Sequence, residues 1–188
     1  MNSGTIAVIV VAVLILLIAL YIGATYNSLI RRRNSVSEAF STMDVYLKKR
    51  WDLIPNLVAT VKGYAKHEAE TLEKVIAARN GRYADLSDED KIAANSELSK
   101  GLASIHVLAE SYPDLKANQN FANLQNQLQA VENDIANARK FYNAVVKSYN
   151  NKVQMFPSGI VAAMFHFTAK QMFVVENEAE REAVKVEF

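Results

Sequence analysis

FANLQNQLQAVENDIANARKFYNAVVKSYNNKVQMF (residues 121–156) decides how this chain folds. Apolar side chains stand at Phe121, Leu124, Leu128, Val131, Ile135, Ala138, Tyr142, Val145, Tyr149, Val153 and Phe156. The steps between them alternate between three and four residues with one late stutter, the spacing that keeps a narrow stripe on one side of an α-helix. Gln, Asn, Lys, Arg and Glu fill the positions between, so the stripe meets one or two neighbouring helices and the rest faces water. A long bundle helix with a coiled-coil-like seam is predicted.

The same spacing recurs upstream. Leu98, Leu102, Ile105, Ala109 and Tyr112 form a shorter stripe that stops at Pro113. It opens on Ser87 followed by Asp88, Glu89 and Asp90, an N-cap with an acid-rich first turn. Before it, Leu29, Val36, Phe40, Met43, Leu47, Ile54, Val58, Val61, Ala65, Leu72 and Ile76 keep helical phase as far as Asn80-Gly81, a turn signal. Pro55 falls inside this stretch. The unbroken phase fits one kinked helix, but a break near residues 51–55 gives pieces of about 25 residues that match residues 87–112, as an up-down bundle prefers. The second reading is favoured: an all-α chain with an antiparallel up-down bundle of four helices.

Residues 6–22 are apolar without interruption, and no charge appears before Arg31. At ~1.5 Å per residue, that run and its uncharged flanks cross a ~30 Å hydrocarbon layer. A cleaved signal peptide fits poorly, because no basic residue precedes the run and the run is long. Arg31, Arg32 and Arg33 follow it directly, and positive charge stays on the cytoplasmic side. The short N-terminus is therefore expected outside a bacterial inner membrane and the body in the cytoplasm, with Tyr21 and Tyr26 at the interface. The chain divides into a transmembrane anchor (residues 1–26), a helical bundle (27–156), an apolar C-terminal element (157–175) and an acidic tail (176–188).

The C-terminal element carries Ile160, Val161, Met164, Phe165, Phe167, Met172, Phe173, Val174 and Val175, with Lys170 its one charge. It is too short and too interrupted for a second span. Two readings stand: it folds back over the chain's own bundle, or its aromatic residues await a partner or the membrane interface.

Net charge is +1, which argues against a nucleic-acid partner. Residues 31–82 balance at +5 and residues 83–188 at −4, so the basic excess lies beside the anchor, where anionic headgroups attract it. Lys48, Lys49 and Arg50 are read as solvated helix surface or as part of that excess. The absence of cysteine removes disulfides, thiolate metal sites and thiol nucleophiles. His67, His106 and His166 lack a glutamate three residues ahead, and Thr71 stands where a zincin's second histidine would follow His67-Glu68. No phosphate loop, dinucleotide glycine pattern or nucleophile elbow occurs. No catalytic, cofactor-binding or metal-ligating residue is assigned, and no cofactor is implied. Asp44, Asn56, Asn118, Asn143 and Asn150 adjoin seam positions. They are expected to cap helices or bond between them and fix register, against a competing reading as a ligand site in the bundle.

Several stretches go beyond pattern: Tyr26-Asn27-Ser28-Leu29, Ala39-Phe40-Ser41 leading to Met43-Asp44-Val45, and Asp52-Leu53-Ile54-Pro55-Asn56-Leu57-Val58. Val61-Lys62-Gly63-Tyr64-Ala65, Tyr112-Pro113-Asp114-Leu115, Asn120-Phe121, Ala138-Arg139, Tyr142-Asn143, Tyr149-Asn150 and Phe156-Pro157 follow in order. Together they resemble the LemA family of bacterial membrane-anchored proteins over essentially the whole chain. Tyr46 stands where that family carries glutamine. The resemblance implies a cytoplasm-facing helical bundle on one membrane helix, with no established enzymatic activity. The function expected is a membrane-anchored scaffold that binds lipid through residues 6–22 and associates with further copies or another membrane protein. The alternative is an adaptor or regulatory subunit of a membrane enzyme such as a protease.

Overall fold

The computed structural model describes residues 2–65, 68–77, 79 and 81–173, and every helix or strand assigned among them is helical. The order is α1 (Ser3–Tyr64), α2 (Ala69–Ala77), a 3-10 turn (Tyr83–Asp85), α3 (Asp88–Glu110), α4 (Pro113–Lys116), α5 (Gln119–Gln154) and α6 (Ser158–Met164). Two compact units result. One is Ser41–Lys140; the other combines Met1–Phe40 with Phe141–Phe188. His67 and residues 174–188, which include the acidic tail, lie outside the described residues.

The Ser41–Lys140 unit is a helical bundle. The expected break near residues 51–55 does not occur, because α1 runs through Pro55 to Tyr64. Proline in a helix interior costs ~3 kcal/mol through a lost backbone bond and a steric clash. Trp51, Ile54, Leu57 and Val58 are all buried around it. At roughly 1.5–3 kcal/mol per buried large apolar side chain, four of them outweigh the proline. The helix ends instead after Tyr64, and the new start at Ala69 resets the phase. Val75 is therefore fully buried and Ile76, placed in the stripe by extrapolation, is exposed. Gly81 supplies the turn beyond α2 with φ +88°, a conformation that favours glycine.

α3 begins where the sequence indicates. Ser87 Oγ accepts the Asp90 backbone N–H at 3.1 Å and caps the helix. Asn118 does the same for α5, accepting the Phe121 N–H at 2.9 Å. Within α5, Phe121, Val131, Ile135 and Ala138 are buried, whereas Leu124 and Leu128 are half-buried. α2 and α3 approach closely at Gly101, where an added Cβ would lie 2.9 Å from Val75 Cγ2. Gly101→Leu should force these helices apart and cost about 2 kcal/mol by overpacking, read from the thermal melt. A Gly101→Leu variant that melts with wild type would refute the close approach.

In the second unit, α1 and α5 run antiparallel. Phe40 meets Tyr142 with ring centroids 6.0 Å apart, and Arg32 donates to Ser148 eight residues back along α1 and six further along α5. Leu29, Val36 and Phe40 of α1 and Tyr142, Val146 and Tyr149 of α5 are all buried. The late stutter brings Val146 inside in place of Val145, which is half-buried. Phe156, the last position of the predicted stripe, is 83% exposed because α5 ends two residues before it. The apolar run of α1 is bare, with none of it buried. It is long and apolar enough to cross a membrane.

Candidate functional site

Two clusters of polar side chains organise the Ser41–Lys140 unit. The first is built on Arg50, which is fully buried and so neither solvated nor free for a headgroup as the sequence suggested. Its Nε and Nη2 donate to Asn95 Oδ1 at 3.1 and 2.8 Å, and Nη2 also donates to the Asn95 carbonyl. Nη1 donates to Ser99 Oγ at 2.9 Å and to Glu132 Oε2 at 2.7 Å. All five guanidinium N–H groups are thereby used. Asn95 is itself buried and donates its amide to the Lys91 carbonyl at 3.0 Å. One side chain from α1 thus ties α3 to α5.

The second cluster centres on Asp44, which accepts from Tyr83 Oη at 2.5 Å and from Lys91 Nζ at 3.1 Å. Lys91 Nζ also lies 5.2 Å from the Tyr83 ring centroid, and the Trp51 ring meets that ring at a tilt of 58°, with centroids 5.3 Å apart. Burial, and then the bond to Asp44, push the Tyr83 phenol well above its ordinary 10.0. The folded state thus holds this proton after the unfolded chain has released it, so stability falls as pH rises above 10. Tyr83→Phe removes the linkage: its melting temperature should decline less steeply above pH 10 than wild type. Parallel declines would show that Tyr83 is not the cause.

A surface cavity of about 330 Å³ lies beside the Arg50 cluster. Leu57, Leu102, Ile105 and Leu128 line it together with Ser99, Gln125, Glu132 and His106. Leu128 is half-buried because it borders this opening. His106 is exposed, 3.3 Å from Gln125 Nε2. Among the described residues no group of three or more His, Asp or Glu side chains could hold a metal ion.

In the second unit the chain after α6 lies back along α5. Asn150 accepts the Lys170 N–H and donates to the Lys170 carbonyl, both at 2.8 Å. Asn143 makes the same pair with Phe173, both at 2.8 Å. Each asparagine thus completes a backbone's hydrogen bonding as a neighbouring strand would. The tyrosine before each one adds a bond: Tyr149 Oη to the Thr168 carbonyl at 3.0 Å, Tyr142 Oη to the Gln171 carbonyl at 3.2 Å. The spacing closes because seven helical residues rise ~10.5 Å and three extended residues span ~10 Å. Phe167 and Phe173 are buried beneath this strap. Tyr26 meets Phe165 and Phe167 at 4.8 and 5.8 Å, and Arg33 lies 5.5 Å over the Phe167 ring. Of the two sequence readings, the first holds for these buried aromatics: they cover their own chain.

The five polar residues singled out in the sequence therefore separate. Asp44, Asn118, Asn143 and Asn150 make the structural bonds expected, the last two to an extended strap instead of a helix. Asn56 is exposed on α1. Arg50 and Asn95 were missed. Their signal was position: Arg50 stands between Leu47 and Ile54 at seam spacing, and Asn95 stands three residues before Leu98.

Residues 39–188 match the LemA family. A relative called Protein LemA, from Metamycoplasma hominis, is 26% identical over 143 residues, covering 76% of this chain. The match spans 65% of that relative's length, just under two thirds.

Proposed function

Since the chain belongs to the LemA family, we propose that it is a non-enzymatic scaffold, anchored by α1 in a bacterial membrane and self-associating through its helical body. The bare apolar run of α1, continuous with the helix that enters both compact units, carries this reading. Support also comes from the fate of the charged side chains inside the body. The buried Arg50 guanidinium is spent on holding three helices together, and Asp44 on holding Tyr83 and Lys91. Such bonds fix register. Arg31, Arg32 and Arg33 support a cytoplasmic body, because positive charge beside an anchor is retained on that side.

Mass measurement of the chain in native-membrane particles tests the scaffold. A homo-assembly is expected; a stoichiometric foreign enzyme in the particle would replace the scaffold by an adaptor, and a lone monomer would remove both. The side is tested separately, since the chain has no cysteine of its own. An impermeant thiol reagent should label Ser3→Cys in intact cells and leave the exposed Gln127→Cys unlabelled; the reverse pattern would invert the topology.

A further inference from the structure

One surface of the second unit remains unexplained by the strap. Met155, Phe156, Ile160, Met164 and Phe165 stay 60, 83, 57, 57 and 44% exposed, although they surround a short helix that is buried on its other side at Val161 and Ala162. Ile160 and Met164, four residues apart, share one face of α6. Met155 and Phe156 border a cavity of about 340 Å³ with Tyr21, Arg32 and Lys152.

Its height along α1 follows from the antiparallel pairing. Arg32 meets Ser148, and α5 ends six residues later, ~9 Å closer to the apolar run. The contacts of Tyr26 with Phe165 and Phe167 fix the same level from the other side of α6. Tyr26 is four residues, ~6 Å, beyond Ile22, the last residue of the run. A headgroup layer is itself roughly 5–7 Å deep on each face of the ~30 Å hydrocarbon. With residues 6–22 in the bilayer, the exposed face of α6 thus lies within the headgroup layer, beside two cationic side chains.

From this we infer that residues 155–165 form a second membrane contact. The exposed face of α6 enters the interface of an anionic bilayer, and Arg32 and Lys152 meet lipid phosphate in the adjoining cavity. This rests on the anchoring of α1 proposed above. Bound at two places, the chain has a fixed tilt and rotation on the membrane, which a single helix leaves free.

Single cysteines carrying spin labels test it in the full chain, reconstituted in vesicles of phosphatidylcholine and phosphatidylglycerol. Collision with oxygen reports lipid and collision with a nickel chelate reports water. Labels at Phe156→Cys, Ile160→Cys and Met164→Cys should show an oxygen-to-nickel ratio several-fold above that of Val107→Cys, an exposed apolar position of the other unit. Vesicles of phosphatidylcholine alone, or the Lys152→Gln variant in mixed vesicles, should lower the ratio at Phe156→Cys. Leu14→Cys reports the anchor. If Leu14→Cys is in lipid while the α6 labels match Val107→Cys, the second contact is refuted and the anchor stands. Protection of the α6 labels from both reagents would assign the face to another copy of the chain and overturn the lipid assignment. A water-exposed Leu14→Cys would overturn the anchor and this inference together.

Discussion

Arg50→Ala should destabilise the Ser41–Lys140 unit by about 3 kcal/mol or more, the range for breaking a buried, hydrogen-bonded ion pair from one side. Glu132 is partly exposed, so its carboxylate recovers water and is the smaller part of the loss. Asn95 is the larger part. It is buried and would lose three bonds from the guanidinium, and an unsatisfied buried polar group costs ~1–3 kcal/mol. Arg50→Lys should recover little, because an ammonium cannot match the planar fork whose Nε and Nη2 both engage Asn95 Oδ1. Arg50→Met combined with Asn95→Leu should recover more than either single change. Circular dichroism melts of the detergent-solubilised chain decide it. Equal midpoints for wild type and Arg50→Ala would show that the buried cluster does not hold this unit together.

Ending the chain at Phe156 should lower the stability of the second unit by about 3 kcal/mol, or roughly 10 °C in melting temperature for a chain of this size. Phe167, Phe173, Val161 and Ala162 leave the core, and Tyr142, Val146 and Tyr149 become exposed. The apolar loss alone is ~2 kcal/mol for each large side chain, partly offset by the freedom regained by the released strap. Asn143→Ala with Asn150→Ala should reproduce part of the effect without removing any apolar contact, at ~0.5 kcal/mol for each of the four bonds lost. A truncated chain that melts with wild type but forms smaller assemblies would return these aromatics to a neighbouring subunit.

Much of this architecture was legible in residues 121–156. A stripe spaced by threes and fours has one helical solution, and Ser87 with its acidic followers marks a helix start by local chemistry alone. What escaped was decided by tertiary packing. Pro55 reads as a break because its local cost is visible, while the burial that offsets it is not. Arg50 reads as surface because Lys48 and Lys49 precede it, yet it occupies the seam position between Leu47 and Ile54. The extension of the stripe to Ile76 failed because a change of phase after Tyr64 leaves no mark in composition. Tyr142-Asn143 and Tyr149-Asn150 were visible as repeated words; the partner that gives them meaning lies twenty to thirty residues away.

The two asparagine clamps bind together two ladders of different pitch, seven rungs of helix against three of extended chain. Such an arrangement tolerates length change only in matched steps. One residue inserted between Asn143 and Asn150 would swing one clamp ~100° around α5 and detach it, whatever the inserted residue was. One residue inserted between Lys170 and Phe173 would turn the strap over and expose the buried Phe173 ring. Seven residues added to the helix together with three added to the strap would keep both clamps in register with the strap, and a Tyr-Asn pair at the matching inserted position would make a third. The contact is modular, and its unit of growth is written in the arithmetic of helix rise and strand rise.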